Sequence, residues 1–492
     1  MTIQLNQANI HLLPAALPAP TYERTAVQAG IVHFGVGGFH RAHQAFYLDQ
    51  LMEQGLAMDF GIVGVGLLPG DKALGRALKA QDCLYTLVSK DEQGGQAAKV
   101  IGSIIDYLCG PDSPAAVLQR LAAPETRIVT LTITEGGYNF DQITGEFDWN
   151  DPDVAHDLAH PDRPRTVFGY LTQALARRRA DGIVPFDVVS CDNIPSNGAV
   201  ARRSLLAFAR GADPDLADWI AAEVAFPNSM VDRITPRPTK AASAELAQRT
   251  GVVDNCVVVA EAFTQWVLED GFGGRRPPFE RAGVQLVADV EPYELMKLRL
   301  LNASHQALAY FSYLMGYRLV HDAVRDSLVR DFLADYMQHE GAPSLPQVPG
   351  VDLDAYQQTL IKRFGNEAIA DTVARLAAEA SDRIPKWLVP VVHQRLAAGA
   401  PAERSAAIVA SWARFAEGVD ESGTPFEVVD NQLEQVKAAA RRQGADPLAF
   451  LRQESFFGSL ADEPRFTEPY LKTLDSLHQR GARETLRSLV AV

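Results

Sequence analysis

The sequence predicts an α/β protein in two parts. Residues 1–287 form a mostly parallel sheet covered on both faces, and residues 288–492 form a mostly helical domain. Three observations predict this. Short β-branched apolar runs recur in the first part with helical patterns between them, the rhythm of parallel strands joined by crossover helices. Strand signals fade after Glu291. Before that point lies GFGGRRPPFERAG, rich in Gly, Pro and Arg, which reads as a linker or an exposed loop.

Residues 1–28 read as an irregular lead-in. GIVHFGVGGFHRAHQAFYLDQLMEQG, from Gly30, then gives a strand, a glycine turn and a helix. FGIVGVGL (Phe60–Leu67), RIVTLTIT (Arg127–Thr134) and PFDVVSCDN (Pro185–Asn193) are further strands. TVFGYLTQALARRRADG and NGAVARRSLLAFARG read as helices, and the Arg177–Arg179 run as the solvated end of the first of them. NDPDVAHDLAHPDRPR reads as a loop. Helices are expected over 291–317, 321–340, 354–379, 386–398, 402–417, 430–443 and 466–490.

The chain has 492 residues, 47% hydrophobic and 22% charged, with a net charge of −15. An acidic surface disfavours nucleic-acid and anionic-membrane partners, because attraction to phosphate needs basic groups. The cysteines Cys83, Cys109, Cys191 and Cys256 form no close pair, which argues against a disulfide framework or a paired-cysteine zinc site and suits a reducing cytoplasm. The first residues lack a basic stretch followed by a long apolar run, so no secretory signal is read. No window approaches a membrane span.

GVGGFHRAH follows the first strand and opens a helix, the context a dinucleotide fingerprint requires. Gly35 and Gly37 would allow close approach of a pyrophosphate, and the helix start at Gly38 and Phe39 would offer N–H groups and a positive dipole end. The third glycine is missing, and His40 stands there; the plainer reading is a tight turn. The first acid after the second strand is Asp71, placed to reach ribose hydroxyls and to repel a 2′-phosphate, although Lys72 adjoins it. His33, inside the first strand, reads as a packed histidine. His156 and His160 have metal-compatible i, i+4 spacing but lack the glutamate of H-E-x-x-H, so no metal site is read.

KLRLLNASH (Lys297–His305) poses a second question. On a regular helix, with Lys297 at zero, Glu294 falls at about 60°, His305 at about 80°, Asn302 at about 140° and Arg299 at about 200°. Four polar groups then share one half of an apolar helix. The plain alternative is a solvated face.

GVGGFHRAHQA, TITEGGY (132–138), SCDN (190–193), FPNSMVDRITP (226–236), QWVLED (265–270) and KLRLLNASH together, in this order, resemble the polyol-specific long-chain dehydrogenase/reductase family over most of the chain. The resemblance implies a Rossmann-type NAD-binding domain with extra elements, a helical substrate domain, an active site in the cleft between them, and a monomer. It implies zinc-independent oxidation of a sugar alcohol with NAD, mannitol to fructose first, with arabinitol, sorbitol and uronate substrates open. By resemblance Lys297 is the general base, and Asn193 and Asn302 bind the reacting oxygen. His305, Asp232 and Arg375 contact substrate, and Glu135 and Glu294 are acids near the cleft. Asp232 has the alternative of pairing with Arg233 or capping a turn, and Arg375 that of a surface charge. Arg383 falls where close relatives carry lysine.

The chemistry suits these residue types. Without a metal, a side chain must take the alcohol proton, and a desolvated lysine can do so near neutral pH. Two amides can hold a developing alkoxide. A non-catalytic NAD-sensing protein would need no such base.

Overall fold

A computed structural model of the chain describes residues 2–140, 145–237 and 239–490. The chain divides into two compact units, one of Met1–Asp91 with Gly95–Glu291, the other of Glu92–Gly94 with Pro292–Val492.

The first unit is built on five parallel strands: β1 (Ala29–Phe34), β2 (Gly61–Gly66), β3 (Ile104–Cys109), β4 (Ile128–Leu131) and β5 (Asp187–Ser190). Their order is β3-β2-β1-β4-β5, with Val32 opposite Val63 on one side and Val129 on the other. This is the doubly wound order less its sixth strand, and it reverses between β1 and β4. Alternate residues feed two cores: Val32, Phe34, Val129 and Leu131 pack on one face, Ile31, Ile62, Ile104 and Ile128 on the other. Burial on both faces explains why these strands read as unbroken apolar runs.

The extra elements are three further small sheets. Tyr85–Lys90 pairs antiparallel with Gln96–Ile101 and parallel with Val258–Glu261. Gln265–Glu269 pairs antiparallel with Ser229–Asp232 and parallel with Gln285–Val287. Ile3–Gln4 lies beside Val252–Val253. The segment read as a loop holds a helix, Pro152–Ala159, whose start is fixed by the Asp151 carboxylate accepting from the N–H groups of Asp153 and Val154.

The second unit is helical. Ala303–Leu314 packs against Glu403–Phe415, which in turn packs against Pro464–Val490, a helix kinked at Gly481. The single helix expected over 354–379 is instead Leu353–Phe364, a loop, and the short helix Val373–Ala377. No helix among the described residues is long and apolar enough to cross a membrane.

The arginine run needs a correction. Arg179 is exposed, but Arg178 is only 1% exposed. Its guanidinium donates to the carbonyls of Leu121 (2.9 Å), Ala123 (2.7 Å) and Val184 (2.6 Å), closing the loops around its helix, and burial pushes it down to about 10. A charge pattern alone cannot tell a solvated arginine from one that satisfies buried carbonyls. Arg178→Ala removes the guanidinium donor from the Leu121 and Val184 carbonyls, while Ala123 keeps the N–H of Thr126, at about 1–3 kcal/mol for each buried group left unpaired. Urea unfolding is expected to show a loss of roughly 3 kcal/mol or more, against about 0.5 kcal/mol or less for Arg179→Ala. Equal losses for the two variants would refute the assignment.

Candidate active site

In the first unit the predicted residues gather at the carboxyl edge of the sheet. Gly35 ends β1 with φ +89°, and a Cβ there would lie 2.0 Å from the Thr132 carbonyl oxygen. Only glycine fits this position. Around Gly37, by contrast, a Cβ would meet nothing nearer than 3.8 Å, so this exposed backbone is open to a ligand. Gly37 caps the helix Gly38–Ala42, in which Phe39 stacks on His43 at 4.9 Å. Arg41 holds the Gly37 carbonyl from below at 3.2 Å.

His40, in place of the third glycine, is fully buried and stacks on His33 with ring centroids 3.3 Å apart. His33 is the packed histidine the sequence suggests, but it also supports the loop. The Thr132 hydroxyl donates to the Gly35 carbonyl at 2.7 Å, so it accepts from His33 Nε2 at 3.0 Å. Nδ1 then accepts from the Thr130 hydroxyl at 2.7 Å. This assigns His33 as the neutral Nε2–H tautomer.

Asp71 opens the helix Asp71–Ala80 directly over the end of β2, where a Cβ on Gly66 would come within 2.6 Å of the Asp71 Cβ. One carboxylate oxygen accepts the Leu68 N–H at 2.9 Å and so shapes its own turn, while Lys72 is paired with Asp112. Glu135 follows β4, and Asn193 follows β5. Between them lies Asp192, which the sequence reading passed over although it stands inside SCDN. Asp232 ends the strand Ser229–Asp232 and is buried. Pairing with Arg233 is not what Arg233 requires: its donors go to Ala42 O (2.5 Å), Glu261 O (2.9 Å) and Ser89 Oγ (2.9 Å).

In the second unit the regular-helix assumption fails at the decisive place. Lys297–Asn302 is a π-helical turn, in which the Ala303 N–H reaches back to Leu298 O instead of Arg299 O. The buried Tyr336 hydroxyl takes up the displaced Arg299 carbonyl at 3.1 Å. A wide turn delays everything after it by about one residue, or about 100°. Asn302 therefore moves from about 140° to about 40°, and His305 from about 80° to about −20°. Together with Lys297 at zero and Glu294 at about 60°, the four polar groups share a far narrower arc than a regular helix gives them. Lys297 is only 8% exposed, so the solvated-face alternative fails for it. Arg299 points away, as expected, but into protein, bonding Ser344 O and Gln394 Oε1.

His305 leans on Phe364 at 5.2 Å. Burial, and secondarily the charge of nearby Arg375, pushes it down to about 3, so it is neutral. Arg375 is exposed, and its guanidinium is bound by both oxygens of Asp371. Arg383 donates to the carbonyls of Arg375 (3.1 Å) and Leu376 (3.0 Å), bracing that short helix. His156 and His160 lie 4.9 Å apart, with His156 against Asp157, and the described residues include no group of three His, Cys, Asp or Glu side chains able to hold a metal.

Two family models cover most of the chain: a mannitol dehydrogenase Rossmann domain over residues 29–281 and a mannitol dehydrogenase C-terminal domain over residues 289–478. The chain belongs to the mannitol dehydrogenase family. It is 46% identical to a mannitol 2-dehydrogenase of Phaeosphaeria nodorum, over 99% of this chain and 85% of that one. Among solved structures it resembles a Pseudomonas fluorescens mannitol 2-dehydrogenase in ternary complex with NAD and D-mannitol, at 44% identity and a TM-score of 0.88, covering 99% of this chain and all of that one. It also resembles a substrate-free D-sorbitol dehydrogenase, at 38% identity and a TM-score of 0.91, covering 98% of this chain and all of that one. In this member of the family, the glycine loop rests on a histidine pair and the lysine sits in a widened turn.

That histidine chemistry has a pH consequence. His33 and His305 are pushed down to about 3 by burial, and His40 is well below its ordinary range for the same reason. Unfolded, each takes up a proton near pH 6.5. The unfolded state then binds more protons below that pH, so stability falls as pH drops from about 6.5 toward 3 and is independent of these groups above it. Denaturation midpoints measured from pH 7 to pH 4 are expected to decline, and to decline less steeply in His305→Gln. Identical slopes would show that His305 protonates freely in the folded protein.

Proposed function

We propose that the chain interconverts D-mannitol and D-fructose with NAD, without a metal, and with Lys297 as general base. The observation that carries this reading is the full-length likeness to the enzyme solved with NAD and D-mannitol, in a chain whose Lys297 is buried. The cofactor end fits a dinucleotide: Gly35 is confined to glycine by its surroundings, and the backbone at Gly37 is open.

Oxidation of a secondary alcohol removes a proton from oxygen and a hydride from carbon, and bound NAD accepts the hydride. Burial disfavours the ammonium form, leaving Lys297 as an amine able to take the proton. The amides of Asn193 and Asn302 donate to the oxygen as it gains charge. Neutral His305 and the Asp232 carboxylate hold neighbouring hydroxyls. Asp71 favours the ribose of NAD over a 2′-phosphate. Glu135 and Glu294 are further acids that the resemblance assigns to the site.

A uronate substrate is the weaker reading. A carboxylate chain end calls for an available cation, but Arg375 already carries Asp371, and Arg383 is bonded to backbone carbonyls. Sorbitol is the second reading, favoured by the likeness to the D-sorbitol dehydrogenase structure. The two hexitols differ in the configuration at one carbon, a difference worth only a few hydrogen bonds in a pocket. Assays of NAD reduction with mannitol, sorbitol, arabinitol and a uronate-derived alcohol decide among them. The highest kcat/KM is expected for mannitol, and a preference of tenfold or more for another substrate, about 1.4 kcal/mol, would replace this reading. Activity is expected to survive prolonged EDTA treatment, and loss restored by zinc alone would overturn metal independence.

Lys297→Ala is expected to lower turnover by several orders of magnitude while NADH titrations remain near wild type, because only the proton acceptor is removed. Retention of more than about a tenth of turnover would place the base elsewhere. Alcohol oxidation should rise with pH through one ionisation below the ordinary lysine range of about 10.4, and ketone reduction should fall through it. Lys297→Met should abolish both limbs.

A further inference from the structure

We propose that Asp192 is a positioning residue for the alcohol oxygen: its carboxylate ties the loop after β4 to the end of β5, and so fixes the amide of Asn193. The inference rests on the dehydrogenase reading above and adds to it a residue that touches neither substrate nor cofactor.

The geometry is confined to the first unit. Asp192 Oδ1 accepts the N–H of Thr134 at 2.9 Å, and Oδ2 accepts the N–H of Ile133 at 3.0 Å and the hydroxyl of Tyr138 at 2.7 Å. Three donors thus converge on one buried carboxylate. The main chain of the same residue is held as well: its N–H reaches Ser190 Oγ at 3.3 Å, and its carbonyl accepts from Asn197 Nδ2 at 3.0 Å. Ser190 Oγ lies 2.6 Å from the Tyr138 hydroxyl, closing a ring of bonds around the strand end. The residue immediately before Asn193 is therefore held at its side chain, its N–H and its carbonyl.

The loop that Asp192 holds is not relaxed. Thr134 has φ +61° and ψ 169°, a conformation that is nearly exclusive to glycine and persists only when its surroundings enforce it. The two N–H groups received by Asp192 are those of Thr134 and its predecessor, and Glu135 follows directly. An ionised carboxylate is the side chain for this task, because it accepts at both oxygens and donates at neither. An asparagine in its place would turn an NH2 group toward a backbone N–H. Burial raises the Asp192 carboxyl, while the bonds from Ile133, Tyr138 and Thr134 oppose that rise.

A double-mutant cycle between Asp192→Asn and Asn193→Ala tests the proposal. Turnover is counted per NADH-binding site by fluorescence titration, so that misfolded protein does not enter the rate. Asn193→Ala alone is expected to lower kcat by about 100-fold, as loss of an oxyanion donor does. Asp192→Asn alone should lower kcat by about tenfold or more, with little change in NADH affinity. In the Asn193→Ala background the same change should cost less than about threefold, because the group it positions is already gone. Equal cost in both backgrounds would reduce Asp192 to a structural residue and overturn the proposal. A silent Asn193→Ala would instead remove the oxygen-binding role of that amide, and the positioning role with it. Should Asp192→Asn fail to fold, Tyr138→Phe removes one donor from the same carboxylate. A loss of about threefold or more in kcat that disappears in Asn193→Ala supports the proposal, and full turnover refutes it.

Discussion

A buried backbone N–H or carbonyl must find a partner, and the candidate site depends on that constraint wherever the chain leaves regular geometry. The glycine loop turns sharply at Gly35, and the Thr132 hydroxyl donates to its carbonyl. The helix widens after Lys297, and the Tyr336 hydroxyl donates to the carbonyl that the wide turn releases. The loop before Glu135 enters a glycine-like conformation at Thr134, and Asp192 receives its N–H groups. In each case the irregular backbone positions a proposed functional group, and a polar side chain from a different segment satisfies the backbone group it displaces. These irregularities are therefore specified at a distance along the chain, by Thr132, Tyr336 and Asp192.

This explains what could be read in the sequence. The parallel strands were legible because both their faces are buried, which leaves an uninterrupted apolar signature in β1, β2, β4 and β5. The strand Ile104–Cys109 was missed, with Asp106 and Tyr107 breaking its pattern, and so were the short strands of the outer sheets. The helix Pro152–Ala159 was hidden by its own polarity, although Asp151 followed by Pro152 is an N-cap and first-turn signal. Lys297, Asn302 and His305 were legible as polar groups in an apolar helix, but their phase was not. The widened turn rests on Tyr336, 37 residues further along the chain, and no local periodicity reports a partner so distant. Arg178 shows the same limit, since two of its carbonyl partners, Leu121 and Ala123, stand at the end of a helix 57 and 55 residues earlier in the chain.

The widened turn also bears on the chemistry. On a regular helix Asn302 would sit well over a quarter-turn from Lys297, by about 140°. The inserted residue brings it to about 40°, with His305 on the other side of the lysine. The proposed base and the proposed oxygen-binding amide, on one helix, can serve the same hydroxyl only if they face the same way. The wide turn achieves this without moving either residue in the sequence. π-helical turns cost helix stability through the lost i→i+4 bond, and they recur at functional sites for this kind of reason.

Desolvation then links function to stability. Burial keeps the His305 imidazole neutral, and the proposed general-base role of Lys297 likewise needs an uncharged side chain. The same burial makes His33, His40 and His305 costly to protonate, so acid must act against the folded state. A protein that moved these groups into water would gain tolerance to acid. Under the proposed mechanism it would also favour the ammonium at position 297 and so lose the proton acceptor. On that proposal, sensitivity to acid and competence as a base share one physical origin, the desolvation of these side chains.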